Sequence, residues 1–321
     1  MYAVLDLGSN SFHLVIAEKA GGRINILDTL NHKVQLADGL NETGKISRQA
    51  FERASTALDE FRHELSRYPI TCLCIVGTST LREAKNAARF IQEANARGFP
   101  VNVISGIQEA YYIYQGIHAL LSPASKQRLV FDIGGGSTEF AVGSSAEPEL
   151  LDSLPIGCVT YCPLMDTTAS TEKITRKTLA KIRRKVHEVL DKKLKPEFYE
   201  LDWEEVYASS GTAKMLRAIA RANKLDDGTI TSKSLLEIED MAIDLGSYQA
   251  LEKLAGLKPN RRNVFVSGLA IMQGLMDHLG LDHVEYSDFA LREGILLSMV
   301  KQGNLFPLFT LHSDENETIL L

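Results

Sequence analysis

Short apolar runs, broken by clusters of glycine, serine and asparagine, divide the chain into alternating strands and helices. Residues 2–5 (YAVL) read as a strand, Asp6-Leu7-Gly8-Ser9-Asn10-Ser11 as a turn, and residues 12–17 (FHLVIA) as a returning strand. Residues 23–30 predict a third strand. Ser47 opens a helix whose stripe of Phe51, Ala54, Leu58, Phe61 and Leu65 has the spacing of one helix face. A strand over 71–76, a helix over 81–97 stopped by Gly98, a strand over 101–104 and a helix over 107–121 follow. Pro123 marks a linker and a domain boundary.

The second half predicts strands near 129–133, 139–143 and 150–154, then a long helix over 171–194. A strand over 206–209 runs into Ser210-Gly211-Thr212 and a helix. Residues 264–266 read as a strand before a Ser267-Gly268 turn and another helix, residues 283–286 as a further strand, and Asp288 as the cap of a final helix ending near Val300.

The pattern repeats. Asp132-Ile133-Gly134-Gly135-Gly136-Ser137 lies 126 positions after Asp6-Leu7-Gly8-Ser9-Asn10-Ser11 and matches it slot by slot, with strands on both sides. Glycine and asparagine are the residues that most readily take left-handed backbone angles. A turn so built can aim successive N–H groups into one concavity that binds phosphate oxygens, with serine hydroxyls as further donors. The aspartate that ends each strand suits a magnesium ion or its water shell. One such loop alone would be an ordinary tight hairpin; two of them, each after an aspartate, point to phosphate binding. Neither completes G-x-G-x-x-G, and there is no G-x-x-x-x-G-K-[ST].

The fold class expected is α/β, in two lobes of like order with a ligand cleft between them. The first lobe spans 1–122, with the helix over 288–300 and the tail packing back on it, and the second spans 123–287. A length of 321 residues and a hydrophobic content of 45% are enough for two cores. A net charge of −6 argues against nucleic acid or an anionic membrane as partner of the whole molecule, so an anion site must be local. The N-terminus shows no basic and apolar leader pattern, and no run approaches the roughly 18 apolar residues of a membrane span, so a cytoplasmic protein is expected. Cys72, Cys74, Cys158 and Cys162 match no common zinc or redox spacing and are expected as buried free thiols.

Charge is concentrated in one place. Residues 171–195 hold ten basic residues against three acids, a net of +7, with Arg183, Arg184 and Lys185 at the centre. Such a strip can bind a linear polyanion by counterion release or be a solvated helix face. Ser210-Gly211-Thr212 is either an anion site at a helix start or a plain N-cap. Ser105-Gly106-Ile107-Gln108 fits a capping box, and Glu109 behind it suits the positive end of a helix.

The motifs DLGSNSFHLVIA, GTSTLREAKNAARF, VISGIQEAYYIYQGI, DIGGGSTE, IGCVT, SSGTAKML and ALREGILLSMV resemble, in order, those of the exopolyphosphatase and guanosine pentaphosphate phosphohydrolase (Ppx/GppA) phosphatases, in a short two-domain form. The resemblance implies the duplicated ribonuclease-H-like fold shared with actin, Hsp70 and sugar kinases. It also implies magnesium and removal of a terminal phosphate from polyphosphate or pppGpp, with a homodimer as a candidate assembly. Glu109 matches the position of the catalytic base and Arg82 that of a phosphate clamp. Gly8, Ser9, Asn10, Ser11, Thr78, Ser79, Gly134, Gly135, Gly136, Ser137, Thr138, Ser210, Gly211 and Thr212 are the expected phosphate contacts, and Asp132, Glu139 and Asp6 the expected metal shell. Arg261, Arg262, Ser267 and Gly268 are candidates by family position for contact with nucleotide or polyphosphate. A sugar or acetate kinase, or a phosphate-compound sensor without catalysis, remains the reading of another class.

Overall fold

The computed structural model describes residues 1–20, 23–121, 126–162 and 173–302. The chain divides into two compact units, one of Met1–Gly116 with Leu291–Gln302, the other of Ile117–Ala290. Each has its own sheet and its own apolar core.

In the first unit β1 (Tyr2–Leu7), β2 (Ser11–Ala20) and β3 (Arg23–Lys33) form an antiparallel meander. The chain continues through α1 (Leu40–Thr43) and α2 (Arg48–Leu65), then β4 (Cys72–Gly77), which lies parallel to β1. It closes with α3 (Ser79–Glu83), α4 (Ala87–Ala96), β5 (Asn102–Val103) and α5 (Gly106–His118). Ser47 caps α2 by accepting from the Ala50 N–H, and Ala54, Leu58, Phe61 and Leu65 of the expected stripe are buried.

The second unit repeats the plan: β6 (Arg128–Ile133), β7 (Thr138–Gly143) and β8 (Leu150–Leu154) form the meander. After α6 (Arg176–Lys193), β9 (Glu205–Ser209) pairs parallel with β6. Then come α7 (Ser210–Ala222), β10 (Ile230–Thr231), α8 (Ser232–Leu245), α9 (Arg262–His278) and β11 (His283–Tyr286). Strand order is β3-β2-β1-β4-β5 in one sheet and β10-β11-β9-β6-β7-β8 in the other, so β1, β2, β3 and β4 correspond to β6, β7, β8 and β9. Finally α10 (Leu291–Gln302) packs on β1 and β2. No helix among the described residues is long and apolar enough to cross a membrane.

Four elements differ from the sequence reading. The helix expected over 81–97 is two helices, because Asn86 between them bonds both the N–H and the C=O of Ile46 at 2.9 Å. Residues 264–267 are helical inside α9, where every residue from Val264 to Met276 is buried, and a helix covered on all sides shows no periodicity. Asp288 caps nothing: its carboxylate accepts from Lys214 and from the Tyr286 hydroxyl, and α10 begins at Leu291. The basic helix starts at Arg176 with Thr175 as its cap. Residues 171–172, the Pro123 linker and the tail beyond 302 lie outside the described residues.

Candidate active site

Loop 1, residues 6–11, joins β1 to β2. A Cβ at Gly8 would stand 2.9 Å from the Ser11 carbonyl oxygen, so glycine is required there by close approach. The carbonyls are tied from behind by the segment after β3: Ala37 N–H donates to Ser9 O at 3.0 Å, and the N–H groups of Val34 and Gln35 donate to Asn10 O at 3.1 and 2.8 Å. The Thr80 hydroxyl on α3 donates to the Ser9 hydroxyl at 2.8 Å. Thr78 precedes α3 and Ser79 opens it; both are buried.

Loop 2, residues 132–137, has the same construction. A Cβ at Gly134 would meet the Ser137 carbonyl at 3.1 Å, and the Gly134 N–H donates to that oxygen at 2.9 Å. The segment after β8 holds its carbonyls, through Cys158 N–H to Gly134 O at 3.0 Å and Val159 N–H to Gly135 O at 2.8 Å. Gly157 lets this segment in, since a Cβ there would lie 2.3 Å from Gly135 O. Thr138 is turned inward and donates to Ile156 O at 2.6 Å. In both loops the carbonyl edge faces protein, and the N–H groups of Ser9, Asn10, Gly135 and Gly136 donate to no described residue. That is the donor arrangement of an anion nest.

The backbone angles correct the expected origin of this arrangement. No loop residue has positive φ, so these glycines provide room for backbone to approach backbone rather than left-handedness. The left-handed residue nearby is Ser210, at φ 73, a position where a side chain is strained. Its hydroxyl and that of Thr212 donate to Ile133 O at 2.6 and 3.0 Å. These hydroxyls brace loop 2 instead of pointing outward. Gly211 is covered by Arg261, whose guanidinium would clash with any Cβ at that position.

The carboxylates differ between the halves. Asp132 pairs in register with Glu139 across β6 and β7, both buried. Ser209 donates to Asp132 at 2.5 Å and Ser153 to Glu139 at 2.9 Å. In the first half the same register pairs Asp6 with His13. Among the described residues no group of three His, Cys, Asp or Glu side chains could hold a metal by itself. Two carboxylates on one strand pair, oriented by hydroxyls, nevertheless suit magnesium, which takes one or two carboxylates and completes its octahedron with water and phosphate oxygens.

Glu109 lies in the first turn of α5, buried, and its carboxylate accepts from Arg82 at 2.7 Å. The same Arg82 nitrogen donates to Ile104 O at 3.0 Å, so this guanidinium holds Glu109 to the end of the sheet. The capping box is formed in both directions: Ser105 N–H donates to the Gln108 side chain at 2.9 Å and Gln108 N–H to the Ser105 hydroxyl at 3.2 Å.

The remaining candidates separate. Arg183 is spent on Glu239 and Gln273 at 2.7 Å each, and Lys185 pairs with Glu188. Arg184 stays exposed, as do Lys177 and Lys181 on the same helix. Arg262 faces Glu252 at 3.7 Å. Ser267 and Gly268 are buried in α9, where the Ser267 hydroxyl donates to Cys158 O at 2.6 Å and Gly268 abuts Thr212. They support loop 2 from behind and offer no turn to a ligand. Burial pushes the Cys162 thiol up to about 12 and raises that of Cys158, so these are packing groups and poor nucleophiles at neutral pH. Sequence reasoning missed Ser209, Ser153, Thr80 and the packing role of Gly157; of these only Gly157, in IGCVT, sits in a motif without another assignment.

A profile of the Ppx/GppA phosphatase family matches residues 15–303, a span that begins just after loop 1 and holds Arg82, Glu109 and loop 2. A Haemophilus influenzae protein named "Putative exopolyphosphatase" is 36% identical over 302 residues, 93% of this chain and 91% of its own. The crystal structure of the Aquifex aeolicus member of the Ppx/GppA family covers 94% of this chain and 98% of that one, with a TM-score of 0.74 at 25% identity. An exopolyphosphatase from Cytophaga hutchinsonii shares the fold at a TM-score of 0.82 and 22% identity, covering 93% of this chain and 97% of its own. With the twice-used strand order, these place the molecule in the duplicated, actin-like α/β class. The chain belongs to the Ppx/GppA phosphatase family and is a hydrolase acting on phosphoanhydride bonds.

Proposed function

We propose that the chain is an exopolyphosphatase that removes the terminal phosphate of inorganic polyphosphate. The observation that carries the chemistry is the buried Glu109 carboxylate held at 2.7 Å by Arg82. Glu109 takes a proton from water, whose oxygen bonds to the terminal phosphorus as the bridging P–O bond breaks; the shortened chain leaves on the bridging oxygen. Arg82 fixes Glu109 and adds positive charge near the group in transfer. Loop 1 in the first unit, and loop 2 and the start of α7 in the second, each offer N–H donors suited to phosphate oxygens. Magnesium, held by Asp132 and Glu139, would neutralise phosphate charge.

The substrate choice rests on α6. Lys177, Lys181 and Arg184 are exposed and make no ion pair with any described residue, a strip of positive charge suited to a linear polyanion. Replacing all three by Gln should weaken long polyphosphate more than pppGpp and flatten the salt dependence of log KM by about 0.7 for each phosphate that the strip no longer neutralises. Equal losses on both substrates would remove the case for polyphosphate.

The direct test is phosphate release from polyphosphate, pppGpp and ATP with magnesium, for the wild type and Glu109→Gln. Release from polyphosphate, lowered about 10²- to 10⁴-fold in kcat by the substitution, is expected. Release from pppGpp alone would make the chain a pppGpp phosphohydrolase. Phosphate transfer from ATP to an added alcohol or carboxylate would make it a kinase, and no turnover at all a sensor.

A further inference from the structure

Arg53, on α2, lies apart from the groups assigned to the reaction. Its Nε donates to Val34 O at 2.6 Å, and its Nη2 donates to Gln35 O and to the Asp38 carboxylate, both at 3.2 Å. Those two carbonyls belong to the residues whose N–H groups hold Asn10 O at 3.1 and 2.8 Å. Two residues on, Ala37 N–H holds Ser9 O at 3.0 Å. One guanidinium therefore grips, by its carbonyl, the Val34–Gln35 peptide unit whose amide grips loop 1, and holds the next carbonyl, that of Gln35, as well.

Gln35 makes this grip necessary. It has φ 52, the left-handed region, with a full side chain and no glycine to relieve it. Such a conformation persists only where surrounding bonds over-determine it, and here they are the Asn10 carbonyl on the amide side and, on the carbonyl side, Arg53 together with the Asp38 N–H, which donates to Gln35 O at 3.0 Å. Relaxation of Gln35 to negative φ would swing its N–H away from Asn10 O and release the back of loop 1. The second unit has a counterpart: the Ser267 hydroxyl on α9 holds Cys158 O, whose residue holds Gly134 O.

We propose that Arg53 is a positioning residue of the phosphate site, acting through Val34 and Gln35 to keep the N–H edge of loop 1 presented to phosphate. The Asp38 ion pair is secondary, since both side chains are more than a third exposed. The inference rests on loop 1 binding phosphate, and its test has one arm that does not depend on turnover.

The test compares Arg53→Met, Arg53→Lys, Asp38→Asn and Gln35→Gly. In hydrogen exchange, the amides of Val34, Gln35 and Ala37 should exchange about tenfold faster in Arg53→Met, the scale of losing a charge-assisted hydrogen bond. Those of Cys158 and Val159 should keep their wild-type rates. In phosphate release, Arg53→Met should raise KM about tenfold with kcat within roughly twofold, as expected when uniform binding is removed. Arg53→Lys should recover part of this loss, and Asp38→Asn should resemble wild type. Gln35→Gly, which removes the strain, should lower the penalty of Arg53→Met when the two are combined. Unchanged exchange at Val34, Gln35 and Ala37 in Arg53→Met, or a fall in kcat without a change in KM, overturns the proposal. Should Arg53→Met not fold, Arg53→Lys decides by the same two readouts. If the wild type releases no phosphate from any substrate, the phosphatase reading fails and exchange alone decides the role of Arg53.

Discussion

Across from the aspartate of loop 1 stands His13 on β2, where the aspartate of loop 2 faces Glu139 on β7, although both loops follow one strand, turn, strand plan and both are held from behind by the segment after the third strand. The shared part is backbone: a glycine against a serine carbonyl, with carbonyls buried and amides turned out. The differing part is side chains. The backbone arrangement occurs twice, whereas the groups proposed for catalysis occur once each. The carboxylate pair belongs to the second unit, and Glu109 with Arg82 to the first.

The comparison breaks most severely at the glycines. A methyl group at Gly157 would stand 2.3 Å from Gly135 O and 2.4 Å from Gly136 Cα, both backbone atoms that cannot rotate away. Gly157→Ala should cost about 1–3 kcal/mol, as overpacking does, and disrupt loop 2 phosphate binding. Gly8→Ala and Gly134→Ala, each with one contact tighter than ordinary packing, at 2.9 and 3.1 Å, should cost less and rank in that order. Thermal melts with KM for polyphosphate check both statements; a melting temperature for Gly157→Ala equal to wild type would show that the segment is not what holds the loop.

A smaller effect separates the two loops by function. Ser209 donates to Asp132, and Thr80 donates to Ser9. If the metal belongs to the carboxylate pair, Ser209→Ala should raise the magnesium concentration needed for half-maximal activity about tenfold, the low end for an outer-shell partner. Thr80→Ala should leave that concentration unchanged and raise KM instead. The opposite assignment of the two effects would move the metal to loop 1.

Much of this was legible in the residues, and the failures have physical reasons. The repeat showed because both loops need small residues at the same slots, and the α2 stripe showed because one of its faces meets solvent. Val264 to Val266 misled because α9 is buried all round. The break at Asn86 depends on a bond to Ile46, 40 residues away, which no local pattern contains. Arg183, Arg184 and Lys185 look equivalent in sequence. Only the fold shows that Arg183 is spent on Glu239 and Gln273 while Arg184 stays exposed. The loop glycines were expected for left-handedness and are needed for close approach, two causes that leave the same letter in the sequence.

The smallest expected effect concerns the thiols, and it tests whether loop 2 is as tightly backed as its hydrogen bonds imply. Cys158 and Cys162 lie in and beside the segment that holds loop 2, and burial raises both thiols, Cys162 to about 12. Cys74, on β4 of the first unit, is raised to about 12 by the same cause. A raised thiol stays protonated until the pH approaches its own value, so at pH 8 the reactive thiolate is scarce at all three. Iodoacetamide at pH 8 should therefore modify half-buried Cys72 first and leave phosphate release unaltered, with the other three reacting only after denaturation. Rapid labelling of Cys158 in the folded protein would mean that the segment opens, and with it the support of Gly134 and Gly135. The amide edge of loop 2 would then be shaped by the ligand rather than prepared for it.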